Sequence, residues 1–224
     1  MIKEIKLGLS LMKYGLNYQM TLVGVLISVA MTILIEWILP ISIIGAMTLS
    51  LMPLLIVQLI YSVSVSTMVQ TSPYKRRLQT TVPTIFALIC GIIANTIVII
   101  PQCLHHQQVV NNTNPMWSIT YEPGEYETGF IFSAIFIVWL LLYTTWSMKN
   151  FWSATIIMIG GFWAVKTYAE QGELIYIVMP EWLAIVLSYV IILLGCVLFY
   201  IITCVTYKQP YSDVTFNSLL KRVS

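Results

Sequence analysis

Charged residues are scarce in this sequence. Asp, Glu, Lys and Arg make up 9% of its 224 residues, whereas soluble domains usually carry about 25%. Hydrophobic residues make up 58%, and the mean hydropathy is +0.86. This composition excludes an ordinary soluble domain and predicts an all-α, polytopic membrane protein.

Motifs for catalysis, nucleotide binding and metal binding are missing as well. The sequence has no GxxxxGK[ST] phosphate loop and no serine in a GxSxG setting. Its only histidines, His105 and His106, are adjacent and have no third ligand at a useful spacing. The four cysteines show no metal-ligand spacing either. We therefore expect a chain that is not an enzyme, binds no metal and has no cofactor of its own.

Six long apolar runs are present, separated by polar stretches. A helix crosses the hydrocarbon core with about 20 apolar residues, so the chain has room for six spans and short connections. The predicted spans are about 20–39, 41–68, 82–100, 130–148, 151–168 and 182–205. They form one transmembrane domain over residues 20–205, followed by a cytoplasmic tail over residues 206–224.

Basic and apolar side chains alternate over residues 1–19. Ile2, Ile5, Leu9 and Met12 share one face of a helix at this spacing, and the lysines lie towards the other side. We predict an N-terminal amphipathic helix that lies in the membrane interface, where its lysines reach the lipid headgroups.

The longest connection follows the third span and covers residues 102–128. We expect the span to end at Pro101, because proline has no backbone N–H with which to continue a helix. The connection is polar, contains three glutamates and has no Lys or Arg.

Basic residues are distributed unevenly between the two sides of the predicted membrane domain. Ten of the eleven lie in the N-terminal segment, in the connections that follow the second and fourth spans, and in the tail. The opposite side carries six glutamates, namely Glu122, Glu125, Glu127, Glu170, Glu173 and Glu181. Because Lys and Arg in short connections mark the cytoplasmic side, we predict a multi-pass plasma-membrane protein with both termini in the cytoplasm.

The densest group of charges between the spans is Lys75, Arg76 and Arg77. Each Lys or Arg at the centre of a bilayer costs about 2.5–3.5 kcal/mol, so this group must lie in water between the second and third spans. Pro73 and Tyr74 precede it, and proline disfavours helix at the residue before it. One interpretation is a solvated connector with a purely topological role. The other is a docking surface for a cytoplasmic partner.

Small and polar residues recur along the first two spans. Gly24, Ser28 and Thr32 are spaced by four residues, which allows two membrane helices to approach closely. We predict that this stripe contacts a second copy of the chain or a close homologue. A second stripe consists of Ser50, Gln58, Ser62 and Ser66. It either packs against another helix or lines a pathway.

Two charges fall within predicted spans, Glu36 near the end of the first and Lys166 near the end of the fifth. Such charges pair, line a wet cavity or extend to the membrane surface. Independent contact with the outer surface is one interpretation. An ion pair that closes the outer mouth of a pathway is the other.

This layout resembles the membrane (permease) subunit of bacterial ABC transporters of the ABC-2 type. The shared features are the amphipathic helix over Ile2–Met20, six spans with both ends inside, the basic connection Ser72–Gln79 and an apolar outer segment, Leu174–Met179. The resemblance implies that the connection, including Pro73 and Tyr74, contacts a separate cytoplasmic ATPase subunit that holds ATP and Mg. It also implies two membrane subunits around the pathway.

The resemblance further implies export of a peptide, an antibiotic or another amphipathic substrate, with the lipid bilayer as a partner and no role for nucleic acid. Two other functions stay open. One is an ion-coupled secondary transporter, although no convincing repeat joins the two halves of the sequence. The other is a non-transport membrane protein, such as an immunity factor or a scaffold.

Overall fold

The computed structural model describes residues 2–14, 18–38, 48–64, 67–110, 124–170 and 177–212. Their side chains are described except at residues 2–4, 11, 36–38, 67–68, 105–110, 125, 162 and 164–170. The helices are α1 (Ile2–Met12), α2 (Tyr18–Ile38), α3 (Leu51–Ser64), α4 (Thr67–Thr71), α5 (Lys75–Gln79), α6 (Thr81–Val110), α7 (Glu125–Lys149), α8 (Phe151–Glu170) and α9 (Glu181–Thr206). Every element in this part of the chain is helical, which confirms the predicted all-α class.

Four helical stretches in the described residues are long and apolar enough to cross a membrane. They are Tyr18–Ile35, Lys75–Leu104, Tyr126–Lys149 and Glu181–Thr206. These stretches coincide with the predicted first, third, fourth and sixth spans, so the chain is a multi-pass helical membrane protein. Within the predicted second and fifth spans, the described apolar helices Leu51–Ser64 and Phe151–Gly161 are shorter.

Helix α6 does not end at Pro101, and this part of the sequence prediction is wrong. The helix continues through the proline to Val110. A proline inside a helix removes one hydrogen bond, but in membrane helices packing against neighbouring helices holds the chain in place. Here Ile99 and Cys103, on either side of the proline, belong to a cluster packed against α7 and α9. The predicted loop 102–128 is correspondingly too long at both ends, since α7 already begins at Glu125.

Helix α7 occupies the centre of the bundle, with α9 packed along it and with α3, α6 and α8 also in contact. The largest buried cluster joins α3, α6, α7 and α9. Its side chains include Val57, Val98, Ile137, Ile192 and Phe199. Helix α8 lies at the edge and packs chiefly against α7.

The N-terminal helix α1 packs against α3 and α6. Its buried side includes Ile5 and Met12, which pack with Val82 and Phe86 of α6. Leu9, which the sequence analysis places on the same face, is 54% exposed. The position of this helix in the membrane interface stays a prediction.

Helices α7 and α9 approach closely at Gly195. A Cβ atom added there would overlap the side chain of Val138, including its Cβ. A small residue at this crossing lets the two backbones come together and gain dispersion contacts along their length.

Replacing Gly195 with alanine should destabilise the bundle, because the new methyl group has no room beside Val138. Overpacking a buried site costs about 1–3 kcal/mol. Gly160→Ala is the matched control, since it makes the same change in a helix where nothing lies within 4 Å of the new group. Unfolding by SDS in mixed micelles should show a lower free energy of unfolding for Gly195→Ala alone. Equal stability of the two variants would contradict the close contact.

Candidate functional site

The predicted docking residues form a turn followed by a short helix. Pro73 and Tyr74 lie in the turn, and α5 begins at Lys75. The hydroxyl oxygen of Ser72 accepts the backbone N–H of Tyr74 at 3.1 Å, and the carbonyl of Ser72 accepts that of Lys75 at 3.1 Å. The basic connection therefore has a defined conformation in place of an open loop.

An apolar anchor holds α5 on the bundle. Leu78 is 6% exposed and packs in a cluster with Val82 and Phe86 of α6. Arg76 and Arg77 are exposed. The helix thus buries one side against the spans and presents its guanidinium groups on the other side.

The residues after α9 fold back onto the same end of the molecule. We call Tyr207–Ser212 the C-terminal segment. The hydroxyl groups of Tyr211 and Ser64 are hydrogen-bonded at 2.6 Å, which ties the segment to the last residue of α3. The side-chain amide of Gln70 donates to the Ser64 carbonyl at 2.7 Å. Burial raises the pKa of Tyr211 to about 12, so the phenol is protonated at neutral pH.

The end of α7 also holds the C-terminal segment. The Lys149 ammonium donates to the carbonyl of Gln209 at 2.8 Å and lies 3.9 Å from the centroid of the Tyr211 ring. The backbone N–H of Ser212 donates to the Met148 carbonyl at 3.1 Å. Together with the Ser64 contact, these bonds fix the segment relative to two different helices, α3 and α7.

Positive charge accumulates at this end, which we call the basic end. It comprises Lys75, Arg76, Arg77, Lys149 and Lys208. Lys75 lies near enough to Lys149 for the two charges to repel each other. The guanidinium carbon of Arg76 and the ammonium of Lys208 each lie 5.9 Å from the centroid of the Tyr207 ring. Three segments that are distant in sequence therefore contribute cations to one surface.

Acidic side chains do not balance this charge in the part of the chain that the structure describes. The acidic side chains described there are Glu127 and Glu181, near the starts of α7 and α9. Those starts lie together, because Thr128 accepts the N–H of Ile177 at 2.8 Å and Phe130 packs in one cluster with Ala184. We call this the acidic end. The bundle is therefore polarised: the described cations named above lie at the basic end, and Glu127 and Glu181 lie at the acidic end.

A buried polar network lies between the two ends. Asn95 of α6 donates to the hydroxyl of Ser188 in α9 at 2.9 Å and accepts from Ser133 of α7 at 3.2 Å. All three residues are fully buried. Hydrogen bonds of this kind join membrane helices because lipid offers no alternative partner. In the sequence, an asparagine within an apolar run is the only visible signal for this network.

The stripe on α2 packs within the chain. Ser28 and Thr32 are buried, and the Thr32 hydroxyl is 2.8 Å from that of Thr48, just before α3. A Cβ atom added to Gly24 would lie 3.2 Å from Leu55 of α3. Part of this face therefore contacts α3 and the segment before it in the same chain, and contact with a second copy or a homologue stays a prediction.

The second predicted stripe is not arranged as a single open surface. Ser50 is completely buried, whereas Gln58 and Ser62 on α3 are half-buried. The hydroxyl of Ser62 donates to the Leu59 carbonyl of its own helix at 2.7 Å. Ser66 lies outside the described residues.

The predicted outer pair falls where the side chains are not described. Glu36 belongs to α2 and Lys166 to α8, but both side chains lie outside the described part of the chain. Their pairing stays a prediction.

Comparisons with protein-family models, with curated proteins and with solved structures give no match.

A double-mutant cycle tests whether the C-terminal segment is held by Lys149. Lys149→Met and Tyr211→Leu should show a coupling of about 0.5–2 kcal/mol in the free energy of unfolding, the range of a cation over an aromatic ring. Lys149→Met combined with Tyr14→Leu is the control, because Tyr14 is 81% exposed, and these two effects should add. Additive effects for Lys149 and Tyr211 would show that the ammonium and the ring do not meet.

Proposed function

We propose that this chain is the permease subunit of an ATP-driven exporter of the ABC-2 type. In this proposal six spans cross the plasma membrane, both termini are cytoplasmic, and the basic end faces the cytoplasm. A separate cytoplasmic ATPase supplies ATP and Mg. The cargo is a peptide, an antibiotic or another amphipathic molecule.

The observation that carries the proposal is the construction of α5. A cytoplasmic ATPase that drives a membrane subunit needs a rigid contact through which its movement reaches the spans. Helix α5 provides such a contact, because a single residue, Thr80, separates it from α6. The Thr80 hydroxyl donates to the Arg76 carbonyl at 2.7 Å, and the Thr84 hydroxyl donates to the Thr80 carbonyl at 2.8 Å. Displacement of α5 would therefore move the first turn of α6 with it.

The electrostatics agree with a docking role. A solvated connector with a purely topological function needs positive charge but no defined shape. Here Leu78 anchors the helix while Arg76 and Arg77 stay exposed. Exposed charges around a docking site steer an oppositely charged partner and speed its association.

A pathway in this proposal lies between two copies of the chain. Within one copy, the polar groups at mid-bundle bond each other, as Asn95, Ser133 and Ser188 do. Large apolar side chains on α8, including Trp152, Ile156 and Trp163, stay exposed in the single chain. Helices α6, α7 and α9 thus use these three polar groups for packing within one copy, which favours a pathway shared between copies.

The same packing supports a second candidate, a non-transport membrane scaffold or immunity protein. Such a protein needs a closed bundle and a cytoplasmic binding surface but no pathway. Ion-coupled transport has less support, since the described side chains between the two ends include no carboxylate or amine. Glu36 and Lys166 are outside that set.

Removing two exposed cations tests the docking function. Arg76→Ala with Arg77→Ala should weaken binding of a phosphate-loop ATPase encoded beside this chain by at least tenfold, because the partner loses two charge contacts. Binding is measured with purified proteins, the chain being in nanodiscs, together with stimulation of ATP hydrolysis. Lys6→Ala with Lys13→Ala is the control, since these cations are equally exposed. Unchanged binding, or an equal loss in both variants, would contradict docking at α5.

A further inference from the structure

The C-terminal segment lies directly beside the docking helix. The guanidinium carbon of Arg76 and the ammonium nitrogen of Lys208 each lie 5.9 Å from the centroid of the Tyr207 ring. Lys208 itself is exposed. Lys208, which follows α9, therefore extends the positive surface formed by α5.

This juxtaposition does not depend on the Arg76–Tyr207 contact alone. The hydroxyl groups of Tyr211 and Ser64 are hydrogen-bonded at 2.6 Å. The Lys149 ammonium donates to the Gln209 carbonyl at 2.8 Å, and the backbone N–H of Ser212 donates to the Met148 carbonyl at 3.1 Å. These partners belong to α3 and α7, which are spans of the bundle. These contacts hold the segment in place. Tyr207 and Lys208 belong to the same segment, so their positions are fixed as well.

We propose that α5 and the C-terminal segment form one composite docking surface for an acidic face of the cytoplasmic ATPase. In this surface Arg76, Tyr207 and Lys208 contact the partner. Lys149 and Tyr211 are positioning residues, which hold the segment without touching the partner. The proposal rests on the proposed function, because it identifies the partner as that ATPase.

The chemistry of the surface indicates an acidic protein partner. Tyrosine and arginine are enriched in the centres of protein interfaces, where a flat ring and a planar guanidinium bury area at little entropic cost. Lys208 lies at the edge of the Arg76–Tyr207 pair. A charge in such a position affects mainly the association rate and its salt dependence. The described side chains of the basic end include no carboxylate that would compete for these cations.

The first experiment measures association of the purified ATPase with the chain in nanodiscs, over a series of salt concentrations. Lys208→Ala should lower the association rate several-fold at low salt and flatten its dependence on salt. Tyr207→Ala should speed dissociation, because the partner loses a buried ring. Gln209→Ala is the control, since the hydrogen bonds of that exposed residue to Lys149 and Thr206 are made by its backbone atoms.

The second experiment tests the positioning role. Tyr211→Leu releases the segment and should slow association about as much as Lys208→Ala, although Tyr211 does not reach the partner. Tyr211→Phe keeps the ring near Lys149 and should restore part of the rate. Tyr14→Leu, which alters an exposed tyrosine, should leave the rate unchanged.

The outcomes separate the two proposals. Suppose that Lys208→Ala and Tyr211→Leu leave the rate and its salt dependence unchanged, while Arg76→Ala with Arg77→Ala lowers both. Docking is then confined to α5, and the composite surface is wrong while the proposed function stands. If the unaltered chain binds no ATPase, the proposed function and the composite surface are both wrong.

Discussion

The low dielectric of the membrane interior is the constraint on which this structure depends. It leaves no place for an unpaired charge, so the charges that the structure describes lie at the two ends of the bundle. One end gathers Lys75, Arg76, Arg77, Lys149 and Lys208, and the other holds Glu127 and Glu181. The cations come from three separate segments, so contacts between distant parts of the chain build this positively charged end.

Between the ends, the same constraint requires that polar groups find partners inside the chain. The bonds among Asn95, Ser133 and Ser188 join three helices, and the bond from Thr32 to Thr48 joins α2 to the segment before α3. The hydroxyl groups of Thr32, Ser133 and Ser188 also bond backbone carbonyls of their own helices, so the bonds between helices add to those within each helix. These bonds hold α6, α7 and α9 together and tie α2 to the segment before α3.

The sequence alone predicted the elements that follow from local composition. Hydropathy located the helices that became α2, α6, α7 and α9, and charge located the basic connection. Contacts between distant residues left no such signal. Nothing periodic in the sequence shows that packing at Cys103 carries α6 past Pro101, or that Thr32 meets Thr48 of its own chain. The return of Tyr211 to Ser64 was equally hidden, because the two residues are 147 positions apart in the sequence.

The central claim is that the C-terminal segment and α5 form one surface within a single chain. Cysteines introduced at Arg76 and Tyr207, in a chain without its four native cysteines, test it with a short bifunctional maleimide in membranes. The contacts of Lys149 and Tyr211 should hold the segment even without the original pair. The account predicts an efficient cross-link within one chain, identified by mass spectrometry. Absence of that cross-link, or links formed only between copies, would contradict it.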